Sequence, residues 1–231
     1  TFLNQELIDL IRDAALGRQQ VDKLAQVTLT NGQRTNFLVH LEVQCQRDRD
    51  LPERLYQYHF RIQTKQGLPV VSLAVLADDN PDWQPGAYEE DHLGCKVRFE
   101  YLSCKLLDFK EEELLASPNP AAVLIAAHLG AQRTAKDPEA RAVYKLRLIR
   151  RLYEGGWDKE QILGLFRFID YLMRLPEEKE VAIREVVRQL EGEKHMPYVT
   201  TIERLAQERG HQEGRQEGWQ EGRQEGRQEG I

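Results

Sequence analysis

Apolar and polar residues alternate along two stretches of the N-terminal half, VDKLAQVTL and NFLVHLEVQC, with Asn31-Gly32 between them. A period of two marks strands, whose successive side chains point to opposite faces. The Asn-Gly pair suits a tight hairpin, because both central residues of such a turn take positive φ. The pattern predicts antiparallel strands near 21–29 and 34–45. Ahead of them, Asn4 and the apolar positions 7, 10, 11 and 14 predict a helix over 4–16, stopped by Gly17. A second helix is predicted from Pro52 to about Thr64, with Gly67 beyond its end. The apolar run PVVSLAVLAD (69–78) reads as a central strand covered on both sides. DDNPDWQPGAYEED reads as a loop, and CKVRFEYLSCKLLDF as a further strand or pair of strands.

From about residue 110 the period lengthens to that of a helix, through EEELLAS, NPAAVLIAAHLGAQRT, PEARAVYKLRLIRRLYEGG, DKEQILGLFRFIDYLMRL and PEEKEVAIREVVRQLEGEKH. The expected architecture is α/β. A mixed sheet flanked by helices occupies 1–110, and an all-helical domain follows over 111–209. In the tail, 210–231, a four-residue Gln-Glu-Gly-Arg pattern would stack glycines on one helix side at about 1 kcal/mol each. No glutamate there lies four residues from an arginine of the tail, so the tail is expected to be disordered.

Strand 34–45 has two unlike sides. Val39, Leu41, Val43 and Cys45 share one; His40, Glu42, Gln44 and, just beyond, Gln46 share the other. Half-polar alternation is the ordinary look of a solvent-facing edge strand. An acid here also invites a chemical reading once Asp22 on the partner strand is added, because a hard divalent cation takes oxygen ligands from one or two carboxylates. Leu24 and Val27 have better claims than Asp22 to the core, which leaves Asp22 as either a surface residue or a ligand.

Composition narrows the chemistry. A net charge of -6 argues against broad attraction to nucleic acid. The densest basic stretch, YKLRLIRRLY, carries Lys145, Arg147, Arg150 and Arg151 and reads as a solvated helix face. Cys45, Cys95 and Cys104 form no CxxC pair, and each is expected to be a small buried residue. The six histidines lack HxxxH or HExxH spacing, and GxxxxGK[ST], GxGxxG and GxSxG are absent. No apolar run approaches a membrane span, and the first residues lack the order of a signal peptide, so a cytoplasmic protein without membrane partners is expected.

The segments FLNQELIDLIRDAALGRQQVDKLAQVTLTNG, LVHLEVQCQRD, PERLYQYHFRI and LPVVSLAVLADDNPDW, in this order, resemble the Rpn family of recombination-promoting nucleases, YhgA-like putative transposases of the PD-(D/E)XK superfamily. The likeness continues through CKVRFEY, NPAAVLIAAHL, YKLRLIRRLYEGGW, LGLFRFIDYLMRLP, EKHMPYVTTIERLA and the tail. It implies a PD-(D/E)XK-like fold and a Mg²⁺-dependent DNA endonuclease linked to recombination or mobile elements. By that likeness Asp22, Glu42 and Gln44 are catalytic, and Asp22, Glu42 and the Val43 carbonyl hold Mg²⁺. Gln44 stands where the motif has lysine, so it supplies neutral hydrogen bonds in place of a charge.

In the following helix Arg54, Tyr58 and Arg61 share a face, suited to DNA phosphates or to ion pairs within the fold. His40 is read as hydrogen-bonding support for the acids, with a proton shuttle as the alternative. The chain begins at Thr1, where family members already have a helical segment, so an internal start is expected. Two other readings are a noncatalytic nuclease-fold module that binds nucleic acid or protein, and a homo-oligomer held by the helical half.

Overall fold

The computed structural model describes residues 21–29, 35–195 and 198. The helix expected over 4–16, the Asn31-Gly32 turn and the 210–231 tail lie outside the described residues. Strands β1 (Val21–Leu29) and β2 (Thr35–Gln44) pair antiparallel, with Asp22 directly opposite Glu42. Helix α1 (Leu51–Gln66) then carries the chain to β3 (Val70–Leu76), which runs parallel to β2. Pro52 sits in the first turn of α1, and Gly67 ends it at φ 64°, a left-handed position that suits glycine.

AYEEDH, expected as part of a loop, forms strand β4 (Ala87–His92), which pairs with β5 (Cys95–Glu100) as a separate hairpin. Cross-strand ion pairs Glu89–Arg98 and Asp91–Lys96 hold its charged positions, and such pairs stabilise antiparallel neighbours that a local window does not reveal. After Tyr101, β6 (Leu102–Lys105) pairs parallel with β3. The main sheet is thus mixed, in the order β1-β2-β3-β6.

Five further helices follow: α2 (Glu111–Ala116), α3 (Pro120–Arg133), α4 (Pro138–Glu154), α5 (Lys159–Leu172) and α6 (Glu177–Lys194). Asn119, Asp137 and Asp158 cap α3, α4 and α5, each accepting a backbone N–H of the first turn. Their core is built from Val123, Leu124, Leu148, Ile149, Leu152, Ile162, Leu165, Phe168 and Ile169.

The sheet is covered on both faces. On one, Leu51 and Leu55 of α1 pack with Ala74, Leu76, Trp83 and Tyr101. On the other, Ile125 and Leu129 of α3 meet Leu41, Val43, Val75, Ala77, Cys104 and Leu106. His128 Nε2 donates to the Ala77 carbonyl at 2.7 Å, and Gln132 Nε2 donates to the same oxygen at 2.9 Å. The continuous apolar character of β3 follows from this double cover.

Several expectations from the sequence change here. Lys145 does not belong to a solvated face; it is fully buried and donates to Asp170 at 2.8 Å and to both Glu180 oxygens, tying α4 to α5 and α6. Nor does all of the neighbouring arginine charge face water. Arg151 donates to the Leu115 and Ser117 carbonyls and lies over the Trp157 ring, whereas Arg147 and Arg150 are exposed as expected, Arg147 in an ion pair with Glu111. Leu24, expected in the core, is 46% exposed, and Cys95 is exposed.

Candidate active site on the buried polar face of β2

The polar side of β2 is enclosed, as is Val43 on the other side. Glu42 is 0% exposed and His40 and Gln44 are nearly so, whereas Val39, Leu41 and Cys45 opposite them are half-buried. A solvent-facing edge is therefore not what the alternation encodes. β2 lies between β1 and β3, and α1 lies over the polar row.

A short turn sets that overlap. Asp48 Oδ1 accepts the Asp50 N–H at 2.9 Å, and Pro52 opens the helix two residues later. One turn into α1, Arg54 reaches back over β2. Its Nε donates to Glu42 Oε1 at 2.9 Å, its Nη2 donates to the same oxygen, and its Nη1 donates to Asp48 Oδ2 at 2.7 Å. Gln44 Oε1 is 3.4 Å from Nη2. Burial works against the Arg54 charge, but the hydrogen bonds to Glu42 and Asp48 outweigh it and lift its pKa above the ordinary value. For Asp48, burial works toward the neutral acid and is likewise outweighed, chiefly by Arg54, so its carboxyl titrates below the ordinary range.

The rest of the row is polar and connected. His40 lies edge-on to Tyr58, ring centres 5.8 Å apart, and its Nδ1 is 3.5 Å from Ser72 Oγ. Ser72 Oγ also meets His59 Nδ1 at 3.1 Å. Burial, and then the nearness of His40, pull the His59 pKa below its ordinary value. His59 and Ser72 open on a cleft of about 730 Å³ that Phe99 and Tyr101 also line.

Tyr101, just before β6, packs on the α1 side of the sheet with Leu51, Leu55 and Ala74, the β3 neighbour of Glu42. Its hydroxyl is buried and has no hydrogen-bond partner among the described residues. Burial and the Glu42 charge push its pKa up to about 12.

Of the residues singled out in the sequence, Glu42, Gln44, His40, Arg54 and Tyr58 converge here. Asp22 holds the backbone register position opposite Glu42 on β1. The Val43 side chain is buried on the opposite, α3 side. Arg61 is exposed further along α1. Lys105, in the same cross-sheet row as Gln44 and Leu76, does not supply the positive charge that Gln44 lacks. Its ammonium is committed to Asp78 at 2.6 Å and to the Asn80 and Trp83 carbonyls.

Asp48, Ser72, His59 and Tyr101 were not legible as site residues. Asp48 had a faint signal, its place in a short acidic turn before a helix. The others come together only through strand pairing.

No family model, curated protein or solved structure matches the chain. Its described residues form a mixed α/β fold with a four-stranded mixed sheet and a small two-stranded one. Among the described residues no helix is long and apolar enough to cross a membrane, and no three His, Cys, Asp or Glu side chains gather as a metal cluster.

Magnesium fits this site in kind. Carboxylate, amide and backbone oxygens are the donors a hard cation takes, and Glu42 already holds a positive group, the Arg54 guanidinium, against one oxygen.

Proposed function

We propose that the chain is a Mg²⁺-dependent DNA endonuclease of PD-(D/E)XK-like fold, acting in recombination or on mobile elements. The observation that carries this reading is the register of Asp22 directly opposite Glu42, two residues before Gln44 on a strand running parallel to β3 beneath α1. Asp22, Glu42 and the Val43 carbonyl are the oxygens that would hold the ion. When bound, Mg²⁺ supplies a more acidic water and neutralises charge on the scissile phosphate. Gln44 orients by neutral hydrogen bonds, since its amide donates and accepts without charge. His40, bonded to Ser72, supports the acid row. Tyr58 and Arg61 offer the α1 side a ring and a cation for a DNA backbone.

A specific observation favours a second reading, a noncatalytic nuclease-fold module that binds nucleic acid or protein. Glu42 has no exposed surface and is gripped by Arg54. Plasmid nicking separates the two. The endonuclease reading expects nicking that requires Mg²⁺ and is lost in Asp22→Ala and Glu42→Ala. Equal nicking in parent and variants rejects it, and DNA retention in a gel without cleavage favours the module.

A further inference from the structure

Asp48 and Glu42 grip one guanidinium at different nitrogens. Glu42 Oε1 takes Nε and Nη2, and Asp48 Oδ2 takes Nη1. The two acids differ in setting: the Glu42 side chain is wholly enclosed, Arg54 is 14% exposed and Asp48 is 23% exposed. A carboxylate without contact to water needs a compensating positive charge, and here α1 brings that charge from within the chain. A divalent cation at Glu42 faces the same guanidinium at close range, and like charges in a poorly solvated site repel strongly.

We infer that Arg54 is the resident counter-ion of this site, so that a divalent cation gains Glu42 only by displacing the guanidinium onto Asp48. The inference rests on the reading of Asp22 and Glu42 as cation-binding acids and adds how that binding is controlled. Asp48 makes the displacement feasible. Its bond to Nη1 does not depend on the Glu42 bonds, and it lies nearer to solvent, so the guanidinium stays docked when it leaves Glu42.

The released edge, Nε with Nη2, is the planar pair of donors that matches two phosphate oxygens. Metal and phosphodiester are thereby coupled: the ion takes the carboxylate, and the guanidinium turns to the phosphate. Gln44 Oε1, 3.4 Å from Nη2, marks the side toward which this edge already leans.

The test reads metal binding without DNA. Mn²⁺ is titrated into the full chain, into Arg54→Gln and into the double variant Arg54→Gln/Glu42→Gln, with free Mn²⁺ followed by electron paramagnetic resonance. Arg54→Gln is expected to bind Mn²⁺ about tenfold more tightly than the parent, and the double variant is expected to lose that gain. Should Arg54→Gln be unfolded alone, millimolar Mg²⁺ is expected to restore its helical circular dichroism, and failure to do so overturns the inference. Equal and measurable binding by parent and Arg54→Gln overturns the competition while leaving the endonuclease reading standing. No binding by either overturns the inference and removes the cation from the endonuclease reading as well.

Discussion

Glu42 carries the account at the scale of single residues. Alternation along NFLVHLEVQC placed it on a polar face with His40 and Gln44, and that much was legible. Which of the two faces a helix would cover was not, because a period of two gives the phase of the faces but not their surroundings. Arg54 was legible as a member of a helix face and ambiguous in its target. In the structure the Asp48 turn holds it in an ion pair with Glu42 and Asp48.

Tyr101 gives this scale its own prediction. A buried hydroxyl without a partner costs about 1–3 kcal/mol, and deleting it relieves that cost. Tyr101→Phe is therefore expected to leave urea stability unchanged or raise it by about 1 kcal/mol. Under the endonuclease reading the same variant has slower nicking, because the hydroxyl lies within electrostatic reach of Glu42. A loss of stability would show that the hydroxyl has a structural partner.

At the scale of elements, the helices among the described residues were read nearly to their ends. Their caps and apolar faces are local features: Asn119 and Asp137 before prolines, and Asp158 in a reciprocal capping box with Gln161. The hairpin strand β4 was missed for the opposite reason. AYEEDH has little apolar alternation, and its charged residues are satisfied by β5, a partner that a short window does not weigh.

Gly130 in α3 is another non-local feature. An added Cβ would lie 2.0 Å from the Tyr144 ring, so the glycine leaves the room that this α4 side chain occupies against α3. Alanine gains about 1 kcal/mol in helix propensity, and overpacking at such a contact costs about 1–3 kcal/mol or more. The expected outcome for Gly130→Ala is net destabilisation in a denaturant titration. A stabilised variant would mean that the two helices separate freely.

For the whole molecule, the helical half is not a detached bundle. α3 covers the face of the sheet opposite α1 and ties to it through His128 and Gln132 at the Ala77 carbonyl. Burial holds the His128 pKa below its ordinary 6.5, against the opposing pull of the Ala77 hydrogen bond. His59 is shifted the same way.

A histidine with a lowered folded pKa leaves the unfolded chain binding more protons once pH drops below 6.5. Stability is fully present above that value, falls as pH decreases toward the folded pKa, and then levels off. Urea midpoints at about pH 7.5 and about pH 5.5 should therefore differ, the lower at the acid end. The gap should narrow in His128→Gln, whose amide keeps a donor for Ala77. An unchanged gap would assign the acid sensitivity elsewhere. None of this coupling was visible in the sequence, where His128 is one polar residue within the apolar run AAVLIAAHLGA.

The central claim is that Asp22 and Glu42 act as one site on a phosphodiester, and a double-mutant cycle on plasmid nicking tests it most directly. With Mg²⁺ present, Asp22→Asn and Glu42→Gln are each expected to slow nicking by about 100-fold or more, and the double variant is expected to be no slower than either alone. Full activity in either single variant, or losses that multiply in the double, would contradict the account.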